Sequence, residues 1–206
     1  METYQLSTTS ARSTRGFTLI EIVVAIAVLA IGLTATAALI AQVLGGTERS
    51  HFVGQAVTLA SEKLEDLNRW PASDPNVFVP SGSTTAGSLT SDVVQNVTSG
   101  GTTESVNYFD DVLFSASGGS IAETRSGLDG SGNPTYSTTS HAPDGTVTTT
   151  TSSSAPTTDG AISFKRRWII EKDQPATGVR RITVLVTLNN STMSPPISFQ
   201  MSMVRP

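Results

Sequence analysis

The chain has 206 residues, a formal net charge of −4, only 15% charged residues and no cysteine. Its length suits one ordinary domain with an added anchor. The weakly charged, acidic composition argues against binding nucleic acid through a broad basic surface. The absence of cysteine excludes disulfides, thiolate catalysis and most structural zinc sites.

An uncharged apolar segment occupies residues 22–47. As an α-helix rising about 1.5 Å per residue, it exceeds the roughly 30 Å of a bilayer's hydrocarbon core. Arg12 and Arg15 precede this segment, whereas Glu48 and Arg49 balance each other just after it. The excess of positive charge on the first side predicts a cytoplasmic N-terminus and export of everything after about residue 48.

Two ordinary explanations compete for this segment. A secretory signal could be cut at Ala35-Thr36-Ala37, but the apolar run is too long for one and has an acid at its front. A plain single-pass anchor explains the hydropathy alone. Neither explains Glu21, because a carboxylate inside a span costs about 2.5–3.5 kcal/mol at full depth. Glu21 is therefore predicted to have a function.

The residues Arg15-Gly16-Phe17-Thr18-Leu19-Ile20-Glu21 closely resemble the processing site of type IV prepilins and type II secretion pseudopilins. The resemblance implies that a leader, residues 1–16, is removed by a membrane aspartic peptidase that cuts between Gly16 and Phe17. It also implies that the same enzyme N-methylates the new Phe17 amine. Gly16 suits the position before the cut because it lacks a Cβ and the backbone can be approached closely.

In an assembled filament Glu21 would lie among apolar side chains, where an unpaired carboxylate is strongly penalised. The nearest countercharge is the Phe17 amine, in the same subunit or in the next one. A pair between subunits would also set their axial register, as buried polar residues do in coiled coils, and the resemblance implies this role. The alternative is that Glu21 reaches interfacial water.

The resemblance also implies the partners of the helix. They are a prepilin peptidase that is also the N-methyltransferase, other pilin or pseudopilin subunits, an inner-membrane assembly platform, and membrane lipid before assembly.

The amphipathic half of the helix, residues 48–70, follows the spanning half, residues 17–47. Its apolar side chains recur at helical spacing, at Val53, Val57, Ala60, Leu64 and Leu67. The charged residues of the segment are predicted on other faces, at Glu62, Lys63, Glu65 and Asp66. Pro71 ends the helix at Trp70, so one helix is predicted from Thr18 to Arg69. Gly32 and Gly45-Gly46 are candidate bends, and the pair is equally well a joint between anchor and head.

The head, residues 71–206, is predicted to be rich in β-structure. Residues 81–160 are dominated by Ser and Thr and are predicted to consist largely of low-complexity loops. One apolar island from Val106 to Phe114 contributes a strand or two. From Ser115 to Gly160 we expect long surface loops or a flexible insertion.

Three stretches near the C-terminus alternate between apolar and polar residues. The apolar positions are Ile162, Phe164, Trp168 and Ile170, then Ile182, Val184, Val186 and Leu188, then Ile197, Phe199, Met201 and Met203. They predict three half-buried strands, with Arg166 as an exception and a hairpin loop from Asp173 to Gly178. An antiparallel sheet laid against the helix stripe gives an α+β fold, the type IV pilin-like class.

No catalytic, cofactor or metal site is predicted. His51 and His141 are the only histidines, and neither has a convincing set of partners. The segment from Asp129 to Asn133 starts like a calcium loop but lacks its later glycine and acid, so it is predicted to be a turn. Lys165-Arg166-Arg167 is predicted to be a solvated strand edge rather than a nucleic-acid patch.

The function that these features predict is that of a minor pilin, a non-catalytic subunit that primes or decorates a type IV pilus. The segment Val28 to Leu33 and the hairpin carrying Trp168 and Arg180-Arg181 most resemble the PilV-type minor pilins. One alternative is a minor pseudopilin of a type II secretion system. Another is a membrane-anchored surface binding protein that matches the motif by chance.

Overall fold

A computed structural model describes residues 16–114, 119–157, 162–189 and 194–206. Its elements are one helix, α1 (Leu19–Arg69), and ten strands: β1 (Thr85–Gly87), β2 (Val94–Ser99), β3 (Thr102–Asn107), β4 (Phe109–Phe114), β5 (Ile121–Leu128), β6 (Pro134–His141), β7 (Val147–Ser152), β8 (Ile162–Lys172), β9 (Arg180–Leu188) and β10 (Ser198–Arg205). The chain divides into two compact units, one up to Thr47 and one from Glu48 onward.

Helix α1 is unbroken from Leu19 to Arg69. It ends where Pro71 was predicted to end it, because proline disfavours helical geometry in the residue before it. The helix passes through Gly32 and the Gly45-Gly46 pair without interruption. These glycines therefore do not melt the helix.

The head contains an eight-stranded antiparallel sheet and a separate hairpin. The order in the main sheet is β10-β9-β8-β4-β5-β6-β7, and the short β1 pairs with the far end of β8. Strands β2 and β3 form the hairpin. The sheet is larger than the three C-terminal strands and apolar island predicted, although those strands form its β10-β9-β8-β4 half.

The core lies between α1 and one face of the main sheet. The helix contributes Ala56, Leu59, Ala60, Leu64 and Leu67, and the strands contribute Val112, Phe164, Trp168, Ile170, Ile182, Val184 and Val186. Val53 and Val57 are only half-buried. The packing of a long N-terminal helix on antiparallel strands confirms the predicted α+β, pilin-like class.

Lys63 corrects the predicted helix faces. It was placed on a solvent face, but its side chain is 2% exposed and belongs to the buried stripe. The spacing explains this position, since Lys63 follows Leu59 by four residues and Ala60 by three, and such residues share one side of a helix. Its charge is neutralised inside the head by a residue distant in sequence.

The Ser/Thr-rich region corrects a second prediction. Long loops from Ser115 to Gly160 are wrong, because β5, β6 and β7 extend the main sheet there. Threonine is β-branched and favours strands, but these strands are polar on both faces, so they lack the alternation that marks a half-buried strand. Residues 115–118 and 158–161 lie outside the described part of the chain.

The predicted solvated edge at Lys165-Arg166-Arg167 is also wrong. Strand β8 lies inside the sheet between β9 and β4. Arg166 has no exposed surface and shares the buried face with Phe164 and Trp168. The turn predicted at Asp129 is confirmed, since the Asp129 carboxylate accepts hydrogen bonds from the Ser131 and Asn133 amides, each at 2.8 Å.

Candidate functional site

The predicted cleavage point lies just before α1. Gly16, Phe17 and Thr18 are exposed and irregular. The Thr18 carbonyl accepts hydrogen bonds from the amides of Glu21 at 3.1 Å and Ile22 at 3.2 Å, and its Oγ1 accepts a weaker one from Glu21 at 3.3 Å. Threonine at this position caps the free amides of the first turn. The Gly16–Phe17 bond is therefore outside the helix, on open backbone.

The space around Gly16 is open as well. A Cβ built on Gly16 meets no atom within 4 Å. Glycine here is not required for packing, so a substitution at this position would test recognition by a processing enzyme without disturbing the fold.

Phe17 and Glu21 lie together at the start of the helix. Both line a shallow groove of about 300 Å³ whose other walls are Ile22, Ala25, Ile26 and Leu29. Phe17 precedes the first helical residue, Leu19, so the shared groove, and not helical spacing, is what places its side chain on the same side as Glu21. An amine at Phe17 would therefore be near a carboxylate in otherwise apolar surroundings.

The first half of α1, up to residue 47, exposes its apolar side chains along its whole length. Leu19 is 81% exposed and Ile31 is 70% exposed, and none of residues 16–47 is buried. Its best 18-residue window has a mean hydropathy of 2.6, sufficient in length and composition to cross a membrane. Apolar surface of this extent is unfavourable in water. It can be covered by lipid or by other apolar helices.

The head contains a buried ionic network that the sequence did not reveal. The Asp110 carboxylate accepts hydrogen bonds from Lys63 Nζ at 2.8 Å, Arg166 Nε at 2.7 Å and Arg166 Nη2 at 2.8 Å. Arg166 Nη2 also donates to Glu123 Oε1 at 2.7 Å, and Lys63 Nζ lies 4.2 Å from the centre of the Trp168 ring. Two cations face two carboxylates, so the network is neutral as a whole.

The network changes the titration of its buried members. Burial opposes the charge on Asp110, but Lys63 and Arg166 outweigh it and hold the pKa of Asp110 well below its usual range. Nearby, burial alone raises the pKa of Tyr108 to about 12. Three charged residues at apolar positions of the pattern were the available signal, because buried charges need partners of opposite sign. Their role is to join α1, β4 and β8.

The remaining sequence candidates give no catalytic arrangement. Among the described residues, no group of three or more His, Asp or Glu side chains is placed to hold a metal ion. His51 packs edge-on against Phe52 with ring centres 5.9 Å apart, and His141 is the exposed last residue of β6. Arg12 and Arg15, which carry the orientation prediction, lie outside the described residues.

Comparison with known proteins identifies one match. Residues 11–37 match the family model described as the prokaryotic N-terminal methylation motif. No curated protein and no solved structure matches the chain. The match contains the Gly16–Phe17 bond, the Thr18 cap and Glu21, and it supports a type IV pilin or pseudopilin processed at its N-terminus.

Proposed function

We propose that the chain is a minor pilin, a non-catalytic subunit that primes or decorates a type IV pilus. The observation that carries this proposal is that the N-terminal methylation motif, residues 11–37, runs into a capped, fully exposed apolar helix. A subunit of this kind needs a place to be cut and a surface to be covered by other helices. The head is then displayed on the outside of the filament.

The exposed backbone before the helix supports the proposed processing. A prepilin peptidase cuts the exposed Gly16–Phe17 bond, removes the leader with Arg12 and Arg15, and N-methylates the Phe17 amine. Before assembly the chain spans the inner membrane once, with its N-terminus in the cytoplasm because of those arginines. The head is exported, and the assembly platform moves the subunit from lipid into the filament.

The proposed assembly step depends on Glu21. In a core of packed apolar helices, an unpaired carboxylate is costly and a paired one is tolerated. The Phe17 amine of a neighbouring subunit supplies the pair and fixes the axial register. The groove that both residues line supports this pairing, since it leaves the carboxylate beside apolar surface.

The first test is expression of the full chain with and without a prepilin peptidase, followed by intact-mass measurement and N-terminal sequencing. We expect a product that starts at N-methylated Phe17 only when the peptidase is present. Gly16→Val is expected to block the cut, whereas Gly45→Val, a matched change within the helix, is expected to leave it intact. A wild-type product that still starts at Met1 with an active peptidase would contradict the proposal.

The second test separates processing from assembly. Glu21→Ala and the isosteric Glu21→Gln are expected to be cut normally but to be absent from filaments sheared off cells. Glu48→Gln serves as a control because Glu48 is exposed outside the motif. Normal incorporation of both Glu21 variants would remove the charge-pair explanation.

The same motif is expected of a minor pseudopilin in a type II secretion system. Cell fractionation distinguishes the two, because a pilin is recovered with sheared surface filaments and a pseudopilin stays with the envelope. Neighbouring genes for a pilus or for a secretion channel give an independent answer. A mere membrane-anchored binding protein would be left uncut by the peptidase.

A further inference from the structure

A recess lies on the outer face of the main sheet, the face turned away from α1. Its floor is formed by Phe109 and Leu113 of β4 and Ser163 of β8, all buried. The recess measures about 510 Å³, within the range of about 300–1,000 Å³ for small-molecule sites. Ala155 and Pro156, which follow β7, also line the recess, so it is formed by more than the flat face of the sheet.

The wall toward β5 and β6 carries two half-exposed hydroxyl groups that a ligand can reach. Ser126 and Tyr136 face each other across the pairing of these strands, and both line the recess. Neither side-chain hydroxyl has a hydrogen-bond partner among the described residues, whereas the neighbouring hydroxyls of Thr124 and Thr138 are bonded to each other at 2.9 Å. Tyr136 also supplies an apolar ring with a polar tip.

The opposite wall is polar but carries no net charge. Lys165 Nζ lies 3.1 Å from Asp92 and 3.0 Å from Asp111, and Arg167 Nε lies 2.7 Å from Asp92. Two cations therefore neutralise two carboxylates. Asn189 donates its side-chain N–H groups to Asp111 at 3.3 Å and Ser163 at 3.2 Å, which leaves its side-chain oxygen without a partner among the described residues.

We propose that this recess binds a neutral saccharide of one or two rings. A sugar ring presents hydroxyls that both donate and accept, which the Ser126 and Tyr136 hydroxyls and the Asn189 oxygen can meet. Its C–H faces can pack on the half-buried Tyr136 ring. The balanced charges give an anionic or cationic ligand no net attraction. Polar groups around an apolar floor are the ordinary composition of a small-ligand site.

A peptide fits the recess less well. Strands β4, β5 and β8 are all internal to the sheet, so their backbone groups are already paired. An extended peptide gains much of its affinity by adding to an open strand edge, and none borders this recess. The recess therefore favours a compact ligand held by side chains.

The test uses the full chain in a zwitterionic detergent that has no sugar headgroup. Lactose, cellobiose and N,N′-diacetylchitobiose are the probes, followed by saturation-transfer difference NMR and by titration calorimetry. We expect binding of at least one probe. Tyr136→Phe and Ser126→Ala, which keep the fold and each remove one hydroxyl, are expected to weaken it about fivefold.

Thr151→Ala is the matched control, because it removes an exposed hydroxyl on β7 outside the recess, and it is expected to change nothing. Saturation transfer from none of the three sugars would overturn the proposal. So would binding that is unaffected by both recess variants, or tighter binding of a sialylated trisaccharide or a Ser/Thr-rich peptide. The proposal does not depend on the N-terminal processing, since a chain left uncut at Gly16 retains the recess.

Discussion

The buried network predicts that neutralising Asp110 lowers the free energy of unfolding of the head far more than neutralising the adjacent Asp111. Asp110→Asn keeps the shape of the side chain but leaves Lys63 and Arg166, which are 2% and 0% exposed, with Glu123 as the one carboxylate among the described residues still hydrogen-bonded to either of them. Leaving a buried charge uncompensated costs about 3–5 kcal/mol. We expect Asp110→Asn to destabilise the head by this amount.

Asp111→Asn is the matched control. Asp111 is the next residue on β4, lies on the opposite face and pairs with Lys165 in a half-exposed position. Such a pair is worth about 0–1 kcal/mol. The two variants should therefore differ by at least about 2 kcal/mol, or by roughly 5–10 °C in midpoint for a head of this size.

The assay is urea and thermal unfolding of the full chain in micelles, followed by tryptophan fluorescence. Trp168 reports on the network directly, because its ring contacts Lys63. Replacing the network together, by Lys63→Met, Asp110→Val, Arg166→Met and Glu123→Gln, is expected to recover most of the loss. If Asp110→Asn is no worse than Asp111→Asn, the network does not stabilise the head and the reasoning is refuted.

Three further predictions concern the head. Gly87→Ala is expected to lower the free energy of unfolding by more than about 2 kcal/mol, because the φ of Gly87 is +81° and the new Cβ would lie 2.7 Å from Tyr108 Cδ1. Gly82→Ala is the control: its φ is +85° but its surroundings are open, so it should lower the free energy of unfolding by only about 1 kcal/mol. Equal losses in thermal unfolding would contradict this prediction. Folding lowers the pKa of Asp110 from its ordinary 3.8, so the stabilisation that Asp110 gives the folded head is present above about pH 4 and is lost as the pH falls further. A urea midpoint that does not change from pH 5 to pH 2.5 would be evidence against this. Arg205 Nη1 donates to three carbonyls at the end of α1, at 2.8–3.4 Å. Arg205→Ala should therefore lower the free energy of unfolding, measured by urea titration, by about 1–2 kcal/mol, and Arg205→Lys should recover part of that loss.

The predictable parts of the fold are those where burial follows a period. Helix α1 has an apolar run and a proline stop, and β8, β9 and β10 have apolar residues at alternate positions, with Arg166 as the exception in β8, so local sequence is enough to predict each of them. The strands β5–β7 have no such signal. Their threonines favour extended backbone, but whether they pair depends on the edge that β4 offers, and β4 is itself paired with β8 from farther along the chain.

The buried charges show the same limit. Lys63 was predicted on a face away from the core, Asp110 carried no prediction, and Arg166 was noted only as an exception to the alternation of its strand. Only together do they form a neutral group, across sequence separations of 47 and 56 residues. The predicted processing segment could be found from the sequence because Gly16, Phe17 and Glu21 lie close together within the matched motif, and recognising that motif needs no tertiary contact.

The two units of the chain differ in whether they satisfy their own apolar surface. The head buries its apolar side chains in a core formed by residues from Phe52 onward, and it neutralises its interior charges within itself. The N-terminal unit buries none of its residues, from Gly16 to Thr47. Such a segment is stable only when lipid or other helices surround it. In the proposed filament, the Phe17 amine of a neighbouring subunit would also give Glu21 a countercharge that lipid tails do not supply. This unmet requirement favours helix bundling in a filament over permanent residence in the membrane.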